Sequence, residues 1–176
     1  MIHTLISCWN EWDASLLARF SESRRRRGID LFMYWVSRSA DGHIYPLVGL
    51  LMIALDVPHA AAFAGCMTLA FVFELPLYKI LKNTVRRDRP FEVIVGVTKR
   101  IEPPDRFSFP SGHTAGAFVV AALVASFYPS LILPAYLWAS SVGVSRVYNA
   151  VHFPSDVLVG MLLGLGSAWL AMAILM

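Results

Sequence analysis

The sequence predicts an all-α fold, a polytopic transmembrane helix bundle of about five spans preceded by an interfacial amphipathic helix. Hydrophobic residues make up 57% of the 176-residue chain and charged residues only 15%, well away from the composition of a water-soluble domain. The apolar residues gather into five segments, roughly 43–57, 59–81, 113–128, 130–148 and 154–176. Lys and Arg gather beside these segments, at Arg24 to Arg27, Lys79 to Arg89 and Lys99 to Arg106.

Residues 1–42 come first. Within them "WNEWDASLLARFSESRRRRGIDLFMYWVSRSADG" interleaves Trp, Phe and Leu with charges, the pattern of one or two helices lying at headgroup level. A sixth span over 29–40 is the rival reading, but its twelve residues include Asp30 and Arg38. Crossing a hydrocarbon core of ~30 Å takes about 20 helical residues. Segments 59–81 and 154–176 meet that length, whereas 43–57 and 113–128 cross only if polar flanks extend the helix or the bilayer thins. The connections around Pro58 and Pro129 are short. Residues 82–112 form a polar, Pro- and Arg-rich connection, and structureless loops of that length are usually functional. Counting spans puts 1–42, 82–112 and 145–156 on one membrane face, with the C-terminus on the other. No internal repeat divides the chain, so 1–176 reads as one membrane-embedded domain.

Composition also narrows the function classes. Basic clusters beside apolar spans suit lipid headgroups or phosphate, and a chain sunk in lipid leaves little surface for nucleic acid. Cys8 and Cys66 supply neither a disulfide framework nor a thiolate metal site. The stretch "MIHTLISCWNEWD" lacks the basic leader and long apolar core of a cleavable signal peptide. Glu74 reads as paired with Lys79 or set near the interface, and Gly160, Gly164 and Gly166 read as close helix packing.

Three clusters on the shared face carry chemistry. In "KNTVRRDRP", Lys82 and Arg89 are seven residues apart, and Arg86 and Arg87 read as a basic pair anchored to anionic lipid. In "FPSGHT", a turn opens a helix whose free amides and positive dipole end make an anion site. There Ser111 offers a hydroxyl, Gly112 a close backbone approach, and His113 a proton exchanged near neutral pH. In "SRVYNAVHFPSD", His152 and Asp156 are four apart, so on a helix they share a face and the carboxylate can accept from one imidazole nitrogen. Together, Lys82, Arg89 and Arg146 can neutralise phosphate oxygens while two histidines share attack and proton transfer. No carboxylate or histidine cluster on this face has metal-ligand spacing, so neither a metal nor another cofactor is expected.

The three clusters resemble the signature of the type 2 phosphatidic acid phosphatase superfamily. Lys82 with Arg89-Pro90, then Pro110-Ser111-Gly112-His113, then Ser145-Arg146 with His152 and Asp156, match it in order and spacing across 82–156. The resemblance implies a metal-independent hydrolase of lipid phosphates or lipid diphosphates working through a phosphohistidine. It makes His152 the nucleophile, Asp156 its orienting partner and His113 the general acid. It makes Lys82, Arg89 and Arg146 phosphate binders, assisted by Ser111 and the Gly112 amide. It also implies a multi-pass protein of the bacterial cytoplasmic membrane, with its site on the extracytoplasmic face. Two alternatives use other chemistry: a lipid phosphotransferase on the same site, or a non-catalytic protein whose basic face holds anionic lipid.

Overall fold

Chain breakers set the helix boundaries, and apolar length sets which helices are long. The structure, a computed structural model, describes residues 12–17 and 27–176. Helical residues 12–17 (α1) are followed by α2 (Arg27–Arg38), α3 (Ile44–Ala54), α4 (Ala60–Val85), the single turn α5 (Pro90–Val93) and α6 (Gly112–Phe127). A 3-10 turn (Pro129–Leu131) leads into α7 (Ile132–Tyr148), and α8 (Pro154–Leu175) closes the chain. No strand occurs among the described residues, so the all-α expectation stands.

Each of the five expected apolar segments carries one helix, of differing length. The α4–α5 stretch Ala60–Val93 and α8 are long and apolar enough to cross a membrane, and α3 and α6 are shorter apolar helices. At 12 residues α2 extends only about 18 Å, short of a span. Part of the amphipathic segment expected over 1–42, Arg24 to Arg26 included, lies outside the described residues.

Small residues line much of the packing around α6 and α8, beside larger buried side chains such as Phe63, Phe118 and Leu123. Helix α6 lies at the centre against α4, α7 and α8, and Ala115, Ala117, Ala121, Ala168 and Ala171 are buried. Gly160 and Gly164 of α8 let it close on α6: a Cβ at either would overlap the carbonyl oxygen of Ser111 or Ala115. Gly166 faces open space, so the close-packing expectation fails there. Leu47, Leu50, Val72, Leu133, Leu162 and Trp169 are exposed, which suits hydrocarbon as solvent.

The helices alternate in direction, which sorts the connections to two ends. At one end Tyr128 Oη donates to the Pro58 carbonyl at 2.8 Å. At the other the α5–α6 connection is tied to the α7–α8 turn: the Arg100 amide donates to the Asn149 carbonyl at 3.1 Å, and the Ser111 amide to the Asp156 carbonyl at 3.0 Å. The loop expected over 82–112 is shorter than its boundaries imply. Helix α4 continues to Val85, stopping where Arg86 turns left-handed (φ 49°), so Lys82 projects from a helix.

Candidate active site

Lys82 and Arg89 do not share a helix, yet they meet on one carboxylate. Lys82 occupies the last turn of α4; Arg89 precedes Pro90, which starts α5 with φ preset for a helical turn. Lys82 Nζ lies 2.6 Å and Arg89 Nη2 2.7 Å from Asp105 Oδ1, and Tyr78 Oη donates to Asp105 Oδ2 at 2.7 Å. Lys82 also donates to Tyr78 Oη. The Arg89 guanidinium is buried and donates further to the carbonyls of Val151, Arg106, Asp105 and Phe107. Burial alone would raise the Asp105 carboxyl, but hydrogen bonds from Lys82 and Tyr78 and the charges of Lys82 and Arg89 outweigh it and hold the group below its ordinary value. Sequence reading missed Asp105 and Tyr78, because no spacing rule joins a loop carboxylate to a helix 23 residues upstream.

The turn before α6 is extended at Ser111, with Gly112 beginning the helix. The Ser111 hydroxyl does not cap the backbone; it pairs with Thr114 Oγ1 at 2.9 Å. Gly112 is needed because a Cβ there would press on the Tyr78 ring, so its smallness seats α6 on α4. His113 follows at the rim of a polar cavity of about 570 Å³, where Tyr34, Ser37, Arg38, Asp41 and Arg146 also line the wall. His113 Nε2 is 3.0 Å from Asp41 Oδ1.

Arg146 ends α7 almost fully buried, donating from Nη1 to Ser37 Oγ at 2.5 Å, while its Nε and Nη2 are buried without a partner. Unpaired guanidinium donors in such a site are costly and open to an anion. His152 sits in the turn before α8, and burial, then the charges of Arg146, Arg89 and Lys82, push its imidazole well below the usual value. It is therefore neutral near pH 7, with a lone pair available.

The expected bond between His152 and Asp156 is not closed. His152 Nδ1 and Asp156 Oδ2 are 3.7 Å apart, beyond hydrogen-bonding distance. Asp156 instead accepts from the Phe153 amide at 2.8 Å, fixing the first turn of α8, and from Arg87 Nη1 at 2.8 Å. Arg87 is thus no lipid-facing anchor: it is largely buried, also holds Asp13 at 2.7 Å, and stacks on Phe153 at 3.9 Å. Asp13 accepts from the Ser155 amide at 2.9 Å and from the Ser155 hydroxyl, so α1 helps to fix the start of α8. Arg86 stays exposed, bonded to the Asn83 carbonyl. Glu74 is buried within α4. Among the described residues, no group of three or more His, Cys, Asp or Glu could hold a metal ion.

An all-α bundle carrying buried cations and two histidines at one end defines a class of membrane-embedded, anion-handling proteins. The chain belongs to the PAP2 superfamily, whose description matches residues 59–176. It is 34% identical over 167 residues to the undecaprenyl-diphosphatase of Sulfolobus acidocaldarius, covering 90% of this chain and 75% of that one. It is 30% identical over 143 residues to the bacitracin transport permease protein BcrC of Bacillus licheniformis, covering 80% of this chain but 60% of that relative. The crystal structure of LpxE from Aquifex aeolicus superposes with a TM-score of 0.79 at 27% identity, covering 90% of this chain and 93% of that one. Together with its apolar exterior, this makes the chain a membrane protein of that superfamily.

Proposed function

We propose that this protein hydrolyses the terminal phosphate of a membrane lipid phosphate or lipid diphosphate through a phosphohistidine on His152. One observation carries the reading: the polar cavity holding His113 and Arg146 shares Gly42 with an apolar groove of about 740 Å³ lined by Tyr45, Met67, Phe71 and Leu75. A ligand using both needs an anionic head and a greasy tail. The relation to an undecaprenyl-diphosphatase favours a polyprenyl diphosphate among such ligands. The reading includes five spans, α3, α4, α6, α7 and α8, in the bacterial cytoplasmic membrane, with the site on the extracytoplasmic face.

In the first step the lone pair of His152 Nε2, the nitrogen away from Asp156, forms a bond to phosphorus as the bond to the leaving oxygen breaks. That oxygen takes a proton from His113. In the second step water attacks phosphorus, gives its proton to His113, and the P–N electron pair returns to His152. Lys82, Arg89 and Arg146 hold the phosphoryl oxygens through both steps, with Ser111 and the Gly112 amide at the α6 N-terminus assisting.

The test is phosphate release from purified protein in detergent with EDTA, across polyprenyl diphosphate, phosphatidylglycerol phosphate and phosphatidic acid. Wild type should turn over at least one of them, while His152→Ala and His113→Ala should lose about 100-fold or more. Normal turnover in either variant sinks the reading.

A further inference from the structure

The residues assigned so far lie between 82 and 156, yet the end of α2 and the turn into α3 also reach the site. These residues precede the family match at 59–176. Ser37 accepts from Arg146, and Asp41 meets His113. The turn carrying Asp41 is fixed from several sides. Trp138 of α7 donates from Nε1 to Ser39 Oγ at 2.9 Å, and Ser39 Oγ donates to the Val36 carbonyl at 2.7 Å. Tyr45 Oη donates to the Ala40 carbonyl at 3.2 Å, and the Ile44 amide to that of Asp41 at 2.9 Å. Arg38 Nε holds the second carboxylate oxygen of Asp41 at 3.2 Å. A loop tied from α2, α3 and α7 keeps one carboxylate in one place.

We propose that Asp41 is the positioning residue for His113, fixing its tautomer and steadying the imidazolium it must form. A carboxylate only accepts, so the Nε2 beside it carries hydrogen and Nδ1 becomes the nitrogen that exchanges protons. In the charged ring the Nδ1 proton goes to the leaving oxygen; in the neutral ring the Nδ1 lone pair takes the proton of attacking water. The charged groups around His113 are Asp41 from the α2–α3 turn, Asp105 from the α5–α6 connection and Arg146 from α7, with Arg38 on the far oxygen of Asp41. Asp41 is the carboxylate in direct contact, so it is the one that sets tautomer as well as charge. This inference rests on the phosphatase reading and on His113 as its acid.

The experiment compares wild type, Asp41→Asn and Asp41→Glu over pH 5 to 9, with polyprenyl diphosphate in detergent. Asparagine can still accept from Nε2 but carries no charge. In Asp41→Asn, kcat should fall about tenfold or more with KM within about twofold. The alkaline limb of kcat should move toward acid by about one pH unit, because the acid form of His113 is lost at lower pH without the carboxylate. Asp41→Glu should restore part of the limb. Histidine NMR spectra of wild type and Asp41→Asn, assigned with His113→Gln, read the same tautomer and titration without turnover. An unmoved limb together with an unmoved His113 titration overturns the proposal, as does a loss of kcat accompanied only by lower thermal stability. If wild type releases no phosphate from any lipid while the His113 titration still shifts, it is the phosphatase reading that fails.

Discussion

Asp105 occupies the donors that the proposed mechanism assigns to the phosphoryl group. Its carboxylate takes Lys82, Arg89 and Tyr78 together, so under the proposed mechanism a phosphate would compete with a built-in anion for the same hydrogens. Because its carboxyl is held below the ordinary range, the competition persists through mildly acid pH. Asp105→Asn should therefore tighten competitive inhibition by inorganic phosphate about tenfold, or ~1.4 kcal/mol, in line with a charge-assisted hydrogen bond. Weaker inhibition would mean that Asp105 organises the cations instead. His152 gives a second expectation at this scale. Its folded pKa is depressed, so below about pH 6.5 the unfolded chain binds a proton that the folded chain refuses. The contribution to stability is whole above that pH and is lost as pH falls toward the folded value, at up to about 1.4 kcal/mol per unit. The apparent melting midpoint in detergent should fall from pH 7 to pH 5, and fall less in His152→Gln. The sequence made His113 and His152 visible because spacing brings imidazoles beside motif cations. It hid Asp41, Asp105 and the Arg87–Asp13 pair, whose partners are 72, 23 and 74 residues away and follow no local period.

Helix α8 is held by α6 on one side and, at its first turn, by Asp13 and Arg87. Its glycines were legible as packing residues, but their difference was not, since which face of α8 meets α6 depends on the whole bundle. Gly160 and Gly164 meet backbone carbonyl oxygens of α6, which cannot give way as a flexible side chain can, whereas Gly166 meets nothing. Gly164→Ala should cost about 1–3 kcal/mol by overpacking and should also lower activity, because parting α6 from α8 separates Ser111 and His113 from Asp156. Gly166→Ala should leave both unchanged or gain a few tenths of a kcal/mol from helix propensity. Thermal midpoints and phosphate release measured on both variants check the contrast; equal losses would mean the helices do not close on Gly164. The boundary of α4 shows a further limit of sequence reading. Its polar last turn, "KNTV", reads as loop by composition yet stays helical, because a 26-residue helix of about 39 Å outruns the hydrocarbon and ends in the polar layer.

Across the whole molecule, charge and fold order the two ends very differently. The connections 55–59 and 128–131 contain no Lys or Arg, so the cations gather at the end that carries the site. Counted naively, that asymmetry places the site end in the cytoplasm. The count is too large, however, because Lys82, Arg87 and Arg89 are bound to carboxylates and Arg146 is buried in the site. Cations at the interface are also met by lipid phosphate in either leaflet, which weakens their vote further. The proposed extracytoplasmic site follows from the family resemblance and not from charge, so a direct measurement must separate the two. Val95 is fully exposed in the α5–α6 connection. In a Cys8→Ser, Cys66→Ser background, Val95→Cys should react with a membrane-impermeant maleimide in intact spheroplasts as fully as after permeabilisation. Labelling that appears only after permeabilisation would place the site inside. The phosphate chemistry would then stand, but its substrate would have to be a lipid phosphate of the inner leaflet, since a headgroup on the outer surface could not reach His152.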